Sequence, residues 1–335
     1  MNYIRKKLFA LGLICLPLLV AAGVAVGAAN IDASNDFNLH YYLAHQYIIH
    51  ADFDLAELEL QQALVQKPQS RKAHRDFMVT SLMHLNFSQA LAEFMITVGA
   101  GKAIPLTADE AKELDKQCAK LHYRKALKYA EQNRSEKEIF ELQWASHYVP
   151  NSPTILRSLA FALANAGQNE LAEKMYKESF ELVENPSQEE AYAHADFAFM
   201  LGKLSRQDEA IRELRKAVQI EPKSPALHTD LAWFLDAKGD VPDATHEIEK
   251  AIDLAPNYQV GTVDVPAGTD SFLGLPMLTH HKQLAIYSNA GLWGKLGKLL
   301  EEQKKYPEAI KAYERALELD PQQEDVKASL KRLKK

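Results

Sequence analysis

Histidine is the residue whose pattern most invites chemistry in this chain. His40, His74, His122, His194 and His228 recur at one place of a repeating pattern. An imidazole there is able to titrate near neutral pH or to ligate a metal. A metal fits the spacing poorly, because equivalent places are separated by a whole helix pair. His40, His45 and His50 are five residues apart, which does not put them on one helix face. The adjacent His280 and His281 are a weak metal signal. The plainer reading is a half-buried, aromatic-like residue that packs helix on helix, with titration as the alternative. Gly99 to Lys102 and Gly294 to Lys298 lack the spacing, and the following Ser or Thr, of a phosphate loop. His246-Glu247 lacks the second His of a zinc-protease helix, and no nucleophile-elbow Ser occurs. The expectation is a chain that is not an enzyme and uses no cofactor and no metal.

The elements that would position these residues are helices in a chain of ordinary soluble composition. It has 335 residues, 47% hydrophobic and 25% charged, with a net charge of -6. That balance gives no broad footprint for nucleic acid. Two cysteines, Cys15 and Cys118, make no disulfide framework.

Residues 1–29 read as an export signal or a membrane anchor. Arg5, Lys6 and Lys7 precede an uncharged run of 19 residues, Leu8 to Val26. Val26-Gly27-Ala28 and Gly27-Ala28-Ala29 are both candidate cleavage sites. The run is long for a cleaved signal and just long enough to span a bilayer, so cleavage and retention both stay open. A buried helix of the fold is the third reading. In the first two, the basic end stays cytoplasmic and the rest is exported, to a periplasmic, extracellular or membrane-anchored place. Gly12-Leu13-Ile14 before Cys15 is a poor lipoprotein site, so no lipid anchor is expected.

Residues 290–321 hold the clearest pattern. Trp293, Leu296 and Leu300 lie at helical spacing on one face, and Ala309, Tyr313 and Ala316 on another. Gly297, Ala309 and Ala316 are small enough for close backbones, and Pro321 stops the second helix. Trp, Leu-Gly, Ala, an aromatic, Ala and Pro in this order resemble the tetratricopeptide repeat. Similar units carry Leu43, Ala44, Tyr47, Ala56, Leu60 and Ala63, then Phe77, Ala90 and Phe94, then Ala126, Leu142 and Ala145. Further units carry Leu156, Leu159, Ala172 and Tyr176, then Phe197, Ala210, Leu214 and Ala217, then Leu231, Ala244, Ile248 and Ala251. The resemblance implies an all-α, right-handed superhelical solenoid of stacked antiparallel helix pairs, since one pair cannot bury its own apolar face.

The expected layout follows. A spacer at 30–36 leads to repeats one and two at 37–97. An insertion with a helix extension occupies 98–117, with Thr107 and Glu110 as a capping box. Repeats three to six span 118–256. A long inserted loop at 257–286 is of a length that tends to be functional or flexible. The last repeat is 287–321, and a basic capping helix fills 322–335. Asn86-Phe87-Ser88 and Asn133-Arg134-Ser135 match glycosylation acceptors in inter-helix turns.

In the family that the chain resembles, the first helix of each pair lines a concave groove. The matching positions are Tyr41, His45, Arg75, Tyr123, Arg124, Arg157, Phe161, Asp196, Phe199, Asp230, Trp233 and Asp236. The early ones are aromatic and basic, the later ones aromatic and acidic. Such a groove suits an extended peptide or a partner helix. The alternative is that some of these aromatics pack on neighbouring helices. The family's Lys and Asn clamp for a carboxylate is not carried over, because Tyr41 and His45 stand in its place. The leading expectation is a non-enzymatic scaffold that binds protein partners on the exported side of a membrane, anchored there if the leader is uncleaved. A second is an assembly factor of an envelope secretion, pilus or cell-wall complex. A third is an enzyme or ligand-binding protein using Asp264, Asp270, His280 and His281 of the 257–286 loop. No nucleic acid partner is expected.

Overall fold

The computed structural model describes residues 36–184, 186–254 and 289–334. The leader, the 257–286 loop and the site expected in that loop lie outside them. Among the described residues there is helix and no strand. Seven antiparallel pairs and a closing helix follow the chain. They are α1 (Asp36–Ile49) with α2 (Phe53–Gln66), α3 (Arg71–Met83) with α4 (Phe87–Thr97), and α5 (Ala108–Glu131) with α6 (Ser135–Tyr148). Next come α7 (Pro153–Asn165) with α8 (Asn169–Glu181), α9 (Gln188–Lys203) with α10 (Gln207–Ile220), and α11 (Pro225–Lys238) with α12 (Val241–Leu254). The last are α13 (Asn289–Glu302) with α14 (Tyr306–Leu319), and then α15 (Glu324–Leu333).

Local chemistry sets these boundaries. Ser70, Ser152 and Ser224 each accept a hydrogen bond from the third backbone N–H beyond, and Pro153 and Pro225 pre-set the first helical turn. Thr107 and Glu110 bond reciprocally: Thr107 donates from N and Oγ1 to Glu110, at 2.8 Å each, and Glu110 N donates back at 3.3 Å. Every turn between the two helices of a pair uses one left-handed residue: Ala51, Leu85, Asn133, Gly167, Ser205, Gly239 and Lys304. That conformation reverses the chain in a few residues. Only two of the seven are glycine, so the other five carry the strain of a Cβ there.

The described chain packs as two compact units. The first holds residues up to Lys128 together with Phe140–Pro150, and the second holds Tyr129–Ile139 together with those from Asn151 on. In the second unit, α7 to α14 stack pair on pair in chain order. Ala172, Ala210, Ala244 and Ala309 are buried at the crossings, where the missing side-chain bulk lets helices approach. The sixth and seventh pairs touch although residues 255–288 intervene between them: Gln303 Nε2 donates to Thr245 Oγ1 at 2.6 Å, and Lys295 pairs with Asp236. In α13, Gly297 faces Tyr313, and a Cβ there would lie 2.5 Å from the ring.

The first unit departs from simple succession. The opening pair has neighbours on both sides. Phe37, Tyr41, Ala44, Leu60 and Ala63 pack against Ala73 and Phe77 of α3. On the other side Leu43, Tyr47, Leu55 and Ala56 pack against Leu121 of α5 and Trp144 of α6. The third pair therefore sits on the first, and Gln62 bonds Asp115 at 2.7 Å across that contact.

Candidate functional site: histidine–glutamate rungs and the first-helix face

The recurring histidines are tied, each to a glutamate nineteen residues later on the second helix of its own pair. The pairs are His40–Glu59 (2.9 Å), His74–Glu93 (2.5 Å), His122–Glu141 (2.7 Å), His194–Glu213 (2.7 Å) and His228–Glu247 (2.5 Å). In each, Nδ1 is the ring nitrogen that meets the carboxylate. The second ring nitrogen of His74 meets the Pro68 carbonyl at 2.7 Å, and that of His228 meets the Pro222 carbonyl at 3.0 Å. One imidazole thus bridges its partner helix to the end of the preceding repeat. At His74, acceptors at both nitrogens favour the doubly protonated ring, which donates twice. Burial pulls the His74 pKa down, but the Glu93 carboxylate and the Pro68 carbonyl outweigh it and leave it raised. Pairs without histidine also lack the glutamate: Leu156 and Met175 stand at these places in the fourth, Trp293 and Ala312 in the seventh.

Two rungs merge where the third pair meets the first. His122 is fully buried, with Nδ1 on Glu141 and Nε2 on Glu59 at 3.1 Å. Glu59 also accepts from the Tyr148 hydroxyl at 2.6 Å and faces His40. Tyr47 donates to Glu141 at 3.3 Å, and Lys125 lies 3.3 Å from Glu141 and 2.6 Å from Asp52. Burial works against charge at both Glu59 and His122, yet their mutual bonds lower the Glu59 pKa and raise that of His122. Burial raises Cys118 far above the thiol range, which removes it as a nucleophile. Among the described residues no group of three or more His, Cys, Asp or Glu is arranged to hold a metal ion. The cluster is a packed charge network rather than an open site.

The positions expected to line a groove divide. Tyr123 is fully buried and has no surface to offer; its large ring fills the core. Tyr41, Arg157 and Asp230 are also buried, against the expectation of groove-facing side chains. Tyr41 is covered because its hydroxyl donates to Asp76 and Lys72 lies over its ring at 4.2 Å. Arg157 is drawn inward by Glu190. His45 and Arg75 converge on the same Asp76, at 3.2 and 3.0 Å. Arg124 is exposed on α5.

In the second unit, Phe161, Asp196, Phe199 and Asp236 are half-buried and Trp233 is 48% exposed. They sit on α7, α9 and α11, first helices that touch one another in sequence. Phe161, Phe199 and Trp233 each lie five residues after the rung position of their own pair. Phe199 packs edge-on against Phe234 at 5.2 Å, which holds it in place. The glutamate partners were missed from sequence, although a fixed offset of nineteen from each histidine was there to be found.

These stacked pairs define a helical-repeat protein. Two tetratricopeptide repeat profiles match it, at residues 290–323 and 205–260. Both matched stretches are similar to that repeat, and their paired helices are stacked as it implies. No curated protein matches it at a significant level. Several solved structures are similar. MamA (41-end) from Desulfovibrio magneticus RS-1 is 17% identical, with a TM-score of 0.46, covering 62% of this chain and 97% of that one. YrrB, described as a tetratricopeptide-repeat protein with an unusual peptide-binding site, is 13% identical at a TM-score of 0.47, covering 67% and 97%. PilF of Pseudomonas aeruginosa is 17% identical at 0.42, covering 66% and 89%.

Proposed function

We propose that this chain is a non-enzymatic scaffold that grips an extended segment of a partner protein along the first-helix face of its second unit. The aromatic file of Phe161, Phe199 and Trp233, one ring per repeat, carries this reading. Asp196 places a carboxylate beside the rings, while Arg157 and Lys295 are already matched by Glu190 and Asp236. A segment with lysine or arginine beside apolar residues suits such a face, cation over ring and apolar side chain between rings.

Selection of displayed random peptides on the purified chain tests it. The expected winners are basic and apolar, and lose at least about tenfold in affinity for Trp233→Ala, as a surface hot spot would. Winners that bind Trp233→Ala and Phe161→Ala as well as the parent would overturn the reading.

We further infer that the scaffold works on the exported side of a membrane. Arg5, Lys6, Lys7 and the uncharged Leu8 to Val26 run support this. Retention of that run would tether the repeats, as an assembly factor of an envelope secretion, pilus or cell-wall complex requires. Fusing residues 1–35 to a reporter active only outside the cytoplasm, then sequencing the mature N-terminus, separates the outcomes. An inactive reporter would reject export, and a start at Ala29 or Asn30 would reject the tether.

A further inference from the structure

Among the described residues, His122 is the only rung imidazole that meets a carboxylate at both ring nitrogens. Glu141, at Nδ1, belongs to its own pair; Glu59, at Nε2, belongs to the opening pair. His74 and His228 meet a backbone carbonyl with Nε2 instead. An imidazolium donates from both nitrogens, whereas the neutral ring keeps one proton. The shorter bond, 2.7 Å to Glu141 against 3.1 Å to Glu59, retains it. Nε2 then turns a lone pair on a buried carboxylate, with no water to screen the repulsion. The Nδ1 proton therefore acts within the third pair, and the Nε2 proton acts between pairs. The other ionisable groups nearby do not replace it. From α1, His40 meets the second oxygen of Glu59, and the Tyr47 hydroxyl lies 3.5 Å from Nδ1. From α6, Tyr148 bonds Glu59, and His147 stands one ring further out, against Trp144 and Tyr148. On α5 itself, Lys125 is committed to Asp52 and Glu141, and Asp115 is held by Gln62. Burial keeps Tyr47, Tyr148 and Cys118 protonated well above neutral pH.

We propose that the proton on His122 Nε2 latches the third helix pair to the opening pair, and that its loss frees α5 and α6 from that contact while the helices stay formed. The surface so uncovered is apolar: Leu43, Tyr47, Leu55 and Ala56 on one side, Leu121 and Trp144 on the other. In the open joint His122 is an ordinary solvated imidazole, which gives up its proton near about pH 6.5. In the closed joint burial pulls that value down, but the bonds to Glu141 and Glu59 outweigh it and leave it raised. Opening thus releases a proton between the two values. The open fraction grows with pH across that window, by at most about tenfold per pH unit for one proton, and levels off above it. The latch is shut in acid and loosens as the medium turns alkaline.

Cys118 reports on the joint, because its fully buried thiol faces Gln62 of α2 at 3.7 Å. The full chain carries Ser179→Cys as a reference, a fully buried place on α8. Alkylation by iodoacetamide is followed peptide by peptide with mass spectrometry at about pH 6.5 and about pH 8.5. Each rate is divided by that of the same site in the urea-unfolded chain at the same pH, which removes the thiol's own titration. Cys118 is expected to react at least about tenfold faster at the higher pH, with the reference thiol and helical circular dichroism unchanged. Glu59→Gln should abolish the rise, because its amide can donate to the neutral Nε2 and hold the joint shut. His122→Gln, neutral at every pH, should leave Cys118 reactive already at the lower pH. Equal Cys118 reactivity at the two pH values overturns the proposal. So does a rise shared by the reference thiol, which is general loosening, a rise that Glu59→Gln leaves intact, or a protected Cys118 in His122→Gln.

Discussion

A charged imidazole locked between helices makes stability a function of pH. His74 and His122 have raised pKa values. Their contribution is complete below the unfolded value of about 6.5 and is lost as pH climbs through the higher folded values. Glu59, Glu213 and Glu247 have lowered values. They contribute above about 4.3 and lose this as pH falls through the lower folded values. Thermal unfolding followed by circular dichroism should therefore give a higher midpoint near about pH 6 than near about pH 8.5; the reverse order would refute the rungs as ion pairs. Glu93→Gln should cost about 3 kcal/mol at the acid end, because it strands a buried charge. His74→Leu with Glu93→Met should stay within about 1 kcal/mol and flatten the profile, copying what Leu156 and Met175 do in the fourth pair. The column of histidines was legible in the sequence, and packing of helix on helix was a sound reading of it. Their ionic partners were not read, because each lies on another helix and outside any local window. Tyr123 shows the opposite failure: its repeat position gave no sign that the third pair would turn that face inward.

At the scale of the element, punctuation residues told most of the story. The Thr107–Glu110 box and the small residues at helix crossings sit where the sequence put them, while the serine caps at Ser70, Ser152 and Ser224 were not read. Gly297 is the sharpest case, a glycine kept in mid-helix by the Tyr313 ring. Gly297→Ala should cost about 1–3 kcal/mol by overpacking, measured as a shift in the urea midpoint; no shift would mean that the ring moves freely. The five strained turns were not legible, because Ala51, Leu85, Asn133, Ser205 and Lys304 carry no common side-chain signature. Nor was the seating of α5 and α6 on the opening pair, which depends on matching surfaces made by residues far apart in the chain.

For the whole molecule, period and composition fixed the class, since recurring apolar seams leave stacking as the only way to bury them. The exposure of each counted position was only half legible. Repeat counting placed Phe161, Phe199 and Trp233 at one place of successive first helices but could not tell exposed positions from those, such as Asp230 and Arg157, drawn inward. The array also needs its end closed. α15 contributes buried Val326, which lies against Gly294 of α13. Removing residues 322–335 should lower stability by about 2 kcal/mol, from the apolar area laid bare, and hydrogen exchange should then speed first in α14. Unchanged protection there would show that the last pair is self-sufficient.

The bond between Tyr148 and His40 joins residues 108 positions apart. A chain that leaves the ribosome from its N-terminus cannot complete the core around its opening helices until α6 has emerged. Local contacts can form early, but this closure waits on a long loop and is correspondingly slow. Through that interval Leu43, Tyr47 and Leu55 lack their cover from Trp144, and a holding chaperone has its natural target there.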